Sequence, residues 1–152
     1  MAARLSKRFF DSDELITRRV GKSIREIFES DGEDRFRDIE SDVVREVSLM
    51  PDAVIALGGG AILREANRNA LREGGHKIFY LKCEAEKLLA RIQADPATAA
   101  TRPNLTKLGG GLEEIKSLLA VREPLYHQVA TSEVDVTNLT IEQAVEAIYK
   151  SL

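Results

Sequence analysis

The run Ala53-Val54-Ile55-Ala56-Leu57 is apolar without interruption and passes directly into Gly58-Gly59-Gly60. A stretch with no alternation leaves no face for water, which suits a strand buried on both faces of a parallel sheet. Three further segments read as short strands: residues 8–10, residues 77–82 (KIFYLK) and residues 133–137 (EVDVT). Helical spacing fills the intervals at residues 23–28, 61–73, 85–94, 112–129 and 141–152. The clearest case is residues 33–50, where Phe36, Ile39, Val43, Val44 and Val47 recur on one face. Strands alternating with helices predict an α/β layer fold, a parallel sheet flanked by helices and joined by right-handed crossovers.

A chain of 152 residues, 43% hydrophobic, has the length of one domain, residues 1–152, and can bury a sizeable core. Its 22 basic and 25 acidic side chains leave a net charge of −3, a poor match to non-specific nucleic-acid binding. No apolar run approaches the ~18 residues of a membrane span, and residues 1–10 contain no signal-peptide core. A cytoplasmic monomer is the expected state. The single cysteine, Cys83, closes an apolar run and is expected to pack as a small core residue. Residues 96–111, rich in Ala, Thr, Pro and Gly, break the pattern and are expected to form a mobile lid or a plain surface loop.

Two short motifs could carry chemistry. Asp11-Ser12-Asp13 follows the first strand and precedes a helix. Asp11, with Glu14 three residues on, reads as a helix N-cap, which leaves Asp13 unexplained. Ligands of parallel α/β sheets bind beyond the carboxyl ends of strands, where this pair sits. Carboxylates there could orient a hydroxyl or hold a metal through water. Gly58-Gly59-Gly60 is read as opening the helix at residues 61–73, with backbone N–H groups turned to an anion or hydroxyl and positive φ available.

Most arginines read as solvated helix faces, among them Arg18, Arg19, Arg25, Arg45, Arg64, Arg68 and Arg72. Arg37 stands among apolar residues, Arg102 precedes Pro103 in the lid segment, and Arg122 precedes Glu123-Pro124 in a helix that the proline is expected to kink or restart. A guanidinium fork suits carboxylates and phosphates, so these three together would make an anion pocket. His76 and His127 are isolated, and no metal cage or Ser-His-Asp order is present in the sequence.

Taken together, the sequence resembles the shikimate kinases, small P-loop kinases. The resemblance runs through Asp11-Ser12-Asp13-Glu14, Gly21-Lys22-Ser23-Ile24, Gly32-Glu33, Phe36-Arg37, Glu40, Val54 to Ile62, Tyr80-Leu81, Arg102-Pro103 and Arg122-x-Pro124-Leu125-Tyr126. It implies a three-layer α/β fold and ATP-dependent phosphorylation of the 3-hydroxyl of shikimate. By that resemblance Asp13 would hydrogen-bond the shikimate hydroxyls and help deprotonate the attacking one. Arg37 and Arg122 would grip its carboxylate, while the Gly59 and Gly60 amides would meet the ring hydroxyls. Arg102 would reach the ATP phosphates from the lid, and Asp11 would sit near Mg2+ through water. Such a set of donors and carboxylates is what phosphoryl transfer requires, since that reaction depends on positioning and charge stabilisation.

One departure stands out. The sequence contains no G-x-x-x-x-G-K-[ST] run, and only ten residues precede Asp11, where the resemblance implies roughly 20–30 from the start of a βαβ unit. Residues 2–7 read as the second half of a helix following such a loop. The expectation is therefore a shikimate kinase lacking its N-terminal strand and P-loop, and inactive by itself. The alternative is a shikimate-binding module without a nucleotide site.

Overall fold

A computed structural model describes residues 1–95 and 111–152. They form two compact units, Met1–His76 and Lys77–Leu152. Both are α/β units built on parallel strands.

The first unit contains α1 (Ala2–Leu5), β1 (Arg8–Asp11), α2 (Ser12–Val20), α3 (Ile24–Ser30), α4 (Gly32–Ser48), β2 (Ala53–Ala56) and α5 (Glu65–Glu73). Strands β1 and β2 pair in parallel, from Arg8↔Ala53 to Asp11↔Ala56. The apolar stripe of α4 behaves as its spacing predicts. Phe36, Ile39, Val43, Val44 and Val47 are all buried, and most of them pack with Ile16 of α2 and Ile27 of α3. Helix α3 starts on a capping box. The Ser23 hydroxyl accepts from the Glu26 N–H, while the Glu26 carboxylate accepts from the Ser23 N–H. Gly21 ends α2 at φ 72°, a left-handed position that glycine takes without strain.

The second unit contains β3 (Phe79–Lys82), α6 (Ala85–Ala94), α7 (Leu112–Val129), β4 (Ser132–Asp135) and α8 (Ile141–Lys150). Its strands also pair in parallel, from Phe79↔Ser132 to Lys82↔Asp135. Cys83 packs with Val134 and Val136, as expected of a small core residue, and Leu88, Leu139 and Ile148 close around them. No described helix is long and apolar enough to cross a membrane.

Three expectations need correction. Helix α5 begins at Glu65 rather than residue 61, because residues 59–62 are taken up by turns. Pro124 neither breaks nor restarts α7, which runs as one helix from Leu112 to Val129. Strand β4 ends at Asp135, since the chain leaves the ladder there and the Thr137 hydroxyl accepts from the Glu84 N–H. The expected lid, residues 96–111, lies outside the described residues except for Gly111.

Candidate active site

The end of β1 fixes two carboxylates in different ways. Asp11 stays extended as the N-cap of α2, and its Oδ1 accepts from the N–H of Asp13 at 2.8 Å and of Glu14 at 3.4 Å. The N-cap is as expected, but Glu14 turns its carboxylate to Arg18 at 2.9 Å. Asp13, one residue into the helix, points toward the turn after β2. A Cβ placed on Gly58 would lie 2.7 Å from Asp13 Oδ1. Burial, then Asp11, then Glu40 raise the Asp13 pKa to about 6, and Arg37 only partly opposes them. Asp13 is thus ionised at neutral pH yet more basic than an ordinary carboxylate, the state that suits a proton acceptor.

Helix α4 supplies the opposite charge. Arg37 is 7% exposed and is held by its own helix. NH1 donates to Glu40 Oε2 at 2.7 Å, while Nε and NH2 donate to Glu33 Oε1 at 3.2 and 3.1 Å. Its guanidinium carbon also lies 5.1 Å from the centre of the Phe36 ring. Glu40 is itself 3% exposed, so this is a buried ion pair one helical turn long. A Cβ on Gly60 would run into the Arg37 guanidinium more severely than one on Gly58 would meet Asp13.

Those two approaches explain the glycines. Neither Gly58 nor Gly60 has positive φ, and both precede α5 by several residues. Their role is therefore neither left-handed backbone nor a helix N-terminus, as the sequence had suggested. A side chain at either position would displace Asp13 or Arg37. Gly59, between them, is exposed. The turn is braced on both sides. The buried Ser12 hydroxyl accepts from the Gly58 N–H at 2.9 Å, and Asn67 Nδ2 donates to the Ala61 carbonyl at 2.9 Å. Arg68 NH1 donates to the carbonyls of Ile62 and Leu63, both at 2.8 Å. Arg68 is therefore no solvated face residue, a correction to the sequence reading.

The first unit thus brings Asp13, Arg37, Gly58 and Gly60 together, with Asp11 beside them. Arg122 stands in the second unit on α7, 8% exposed, with no hydrogen bond or ion pair to any described residue. Its neighbour Glu123 is engaged elsewhere, 3.7 Å from Lys82 Nζ and accepting from the Tyr80 hydroxyl at 3.4 Å. Arg102 lies outside the described residues. Among the described residues no cluster of three potential ligands could hold a metal directly. Asp11 fits the lesser role of reaching a hydrated Mg2+: its Oδ1 is used by the helix cap, and its Oδ2 accepts nothing from the described residues. Sequence reasoning missed Ser12, Asn67 and Arg68 as braces of the turn. Glu40 entered the sequence reading through the resemblance, and its place on the apolar stripe, a turn from Arg37, was the signal for the pairing.

Known proteins match the whole chain. A family described as "Shikimate kinase" matches residues 1–152. The shikimate kinase of Rhodopirellula baltica is 40% identical over 151 residues, 99% of this chain and 80% of that protein. That of Thermobifida fusca is 41% identical over 152 residues, covering all of this chain and 84% of that protein. Among solved structures, shikimate kinase from Acinetobacter baumannii in complex with shikimate superposes with a TM-score of 0.87 at 32% identity, over 99% of this chain and 81% of that one. On sequence and fold together, the chain belongs to the shikimate kinase family, phosphotransferases of aromatic amino-acid biosynthesis.

Proposed function

We propose that the chain binds shikimate as the phosphoryl acceptor of an ATP-dependent kinase that yields 3-phosphoshikimate. The observation that carries this reading is the pairing of unlike charges around one glycine turn: the basic carboxylate Asp13 at Gly58 and the buried fork of Arg37 at Gly60. Shikimate carries hydroxyls and a carboxylate, which need a carboxylate and a guanidinium respectively. The relative from Acinetobacter baumannii solved with shikimate supports the same acceptor.

In this reading Asp13 accepts hydrogen bonds from the ring hydroxyls and takes the proton of the 3-hydroxyl as the shikimate oxygen bonds to the γ-phosphorus of ATP and the bond to the bridging oxygen breaks, releasing ADP. Arg37 and Arg122 hold the carboxylate, and the Gly59 and Gly60 amides meet ring hydroxyls. Arg102, which lies outside the described residues, meets the ATP phosphates. Asp11 would hold hydrated Mg2+, which would offset phosphate charge.

Residues 1–152 contain no G-x-x-x-x-G-K-[ST] run. The expected behaviour of these residues alone is shikimate binding without ADP release from ATP and Mg2+. Calorimetric titration with shikimate and a coupled ADP assay on the same preparation test both parts. Failure to bind shikimate would overturn the acceptor reading. Turnover would confirm the acceptor and show that the phosphates are held by groups other than that loop.

A further inference from the structure

Strand β1 runs beside β2 as far as Asp11↔Ala56, and there the ladder ends because the chain turns into α2 at Ser12. The carbonyls of Ser12 and the residues after it point along the helix, so the Gly58 N–H has no backbone partner across the gap. It donates instead to the Ser12 hydroxyl at 2.9 Å, a contact between residues 46 apart in sequence. Ser12 is 1% exposed, so no water can replace that oxygen without rearrangement. The bond enters the turn at Gly58, the residue whose missing Cβ makes room for Asp13, two residues before the one that makes room for Arg37.

We propose that Ser12 is a positioning residue for the acceptor site: its buried hydroxyl sets the height of the Gly58–Gly60 turn, and so fixes Asp13 and Arg37 relative to each other. The proposal rests on the reading of those two residues as the shikimate contacts. Asn67 and Arg68 hold the far end of the turn by its carbonyls, and Ser12 holds the near end at the Gly58 N–H. Without it the turn pivots about its far end, and the two groups lose their spacing although neither has been changed. The shape of the acceptor that fits would change with them.

The test compares the wild-type chain with Ser12→Ala and Ser12→Thr by calorimetric titration of shikimate and by amide hydrogen exchange. Ser12→Ala should bind shikimate about tenfold more weakly, and the Gly58 and Gly60 amides should exchange faster relative to core amides such as Val43. Ser12→Thr keeps the oxygen and should restore both. A purely structural serine would speed exchange at Val43 and Gly58 alike and leave the affinity of the folded protein unchanged. That result, or equal behaviour of the two variants, would overturn the proposal. If Ser12→Ala does not fold, Ser12→Cys, which keeps the shape with a weak acceptor, replaces it in the same comparison with Ser12→Thr. If the wild type takes up no shikimate, the acceptor reading fails and the proposal, resting on it, fails too. Binding by wild type with no loss in the variant would remove Ser12 alone.

Discussion

Arg37 and Arg122 are buried to the same degree, 7% and 8% exposed, yet they are held in different ways. Arg37 is neutralised by its own helix, through Glu40 one turn on and Glu33 one turn back. Arg122 has no such partner among the described residues, and the carboxylate next to it in sequence is turned to Lys82 and Tyr80. Burying a guanidinium is costly, and a local carboxylate offsets that cost in the folded chain itself. Arg37 is therefore built into the fold by its own helix. Arg122 is buried without a carboxylate from any described residue, and under the proposed function the acceptor's carboxylate would meet it.

The sharpest way to break this comparison is to remove the partner of one arginine and the side chain of the other. Glu40→Ala leaves the buried guanidinium with Glu33 as its remaining carboxylate, and should cost about 3 kcal/mol in urea unfolding, the low end for breaking a buried pair. Arg122→Met strands no described group, so its stability should stay within about 1 kcal/mol of wild type while shikimate affinity falls. Equal losses in the two variants would show that the arginines are held alike.

A smaller effect is expected at the turn. Gly60→Ala places a Cβ against the Arg37 guanidinium, which can yield only by leaving Glu40 or by moving the turn. Overpacking of this kind costs about 1–3 kcal/mol, and shikimate affinity should fall in the same variant. Unchanged affinity and stability would mean that the turn yields freely and that the glycine is not required.

The smallest effect has a sign that depends on pH. Because the folded pKa of Asp13 is raised to about 6, the folded state holds its proton more tightly than the unfolded chain. Wild-type stability should therefore fall as pH rises from the ordinary carboxylate range through about 6, and Asp13→Asn should not show that fall. The variant should match wild type near pH 3 and exceed it at pH 7 by about 1 kcal/mol, after allowance for partial exposure of the group. It should also lose shikimate binding, stability and function moving in opposite directions. Thermal unfolding across this pH range checks it, and a variant less stable than wild type at pH 7 would contradict the strained state of Asp13.

Local pattern made much of the fold legible. Helices α6 and α7 begin and end where their spacing predicts, and the α4 stripe is buried residue by residue. What stayed hidden depends on contacts between distant residues. The start of α5 was missed because Asn67 and Arg68 hold the carbonyls of residues 61–63 in a turn, a bond pattern with no periodicity. Pro124 was over-read, since a helix packed along its length can lose one N–H donor and continue. Asp13, Arg37 and the glycines could be named from their motifs. That Gly58 and Gly60 serve as clearance for those two side chains, and that Ser12 braces them, required the packing itself.

The claim at the centre of this account is that planar guanidinium forks, beyond positive charge alone, receive a carboxylate-bearing acceptor. Calorimetric titration of shikimate into wild type, Arg37→Lys and Arg122→Lys tests it directly. Each lysine keeps the charge and loses the fork, so each should weaken binding by roughly tenfold to a hundredfold, the worth of one charged hydrogen bond. Wild-type affinity in both variants would contradict the account.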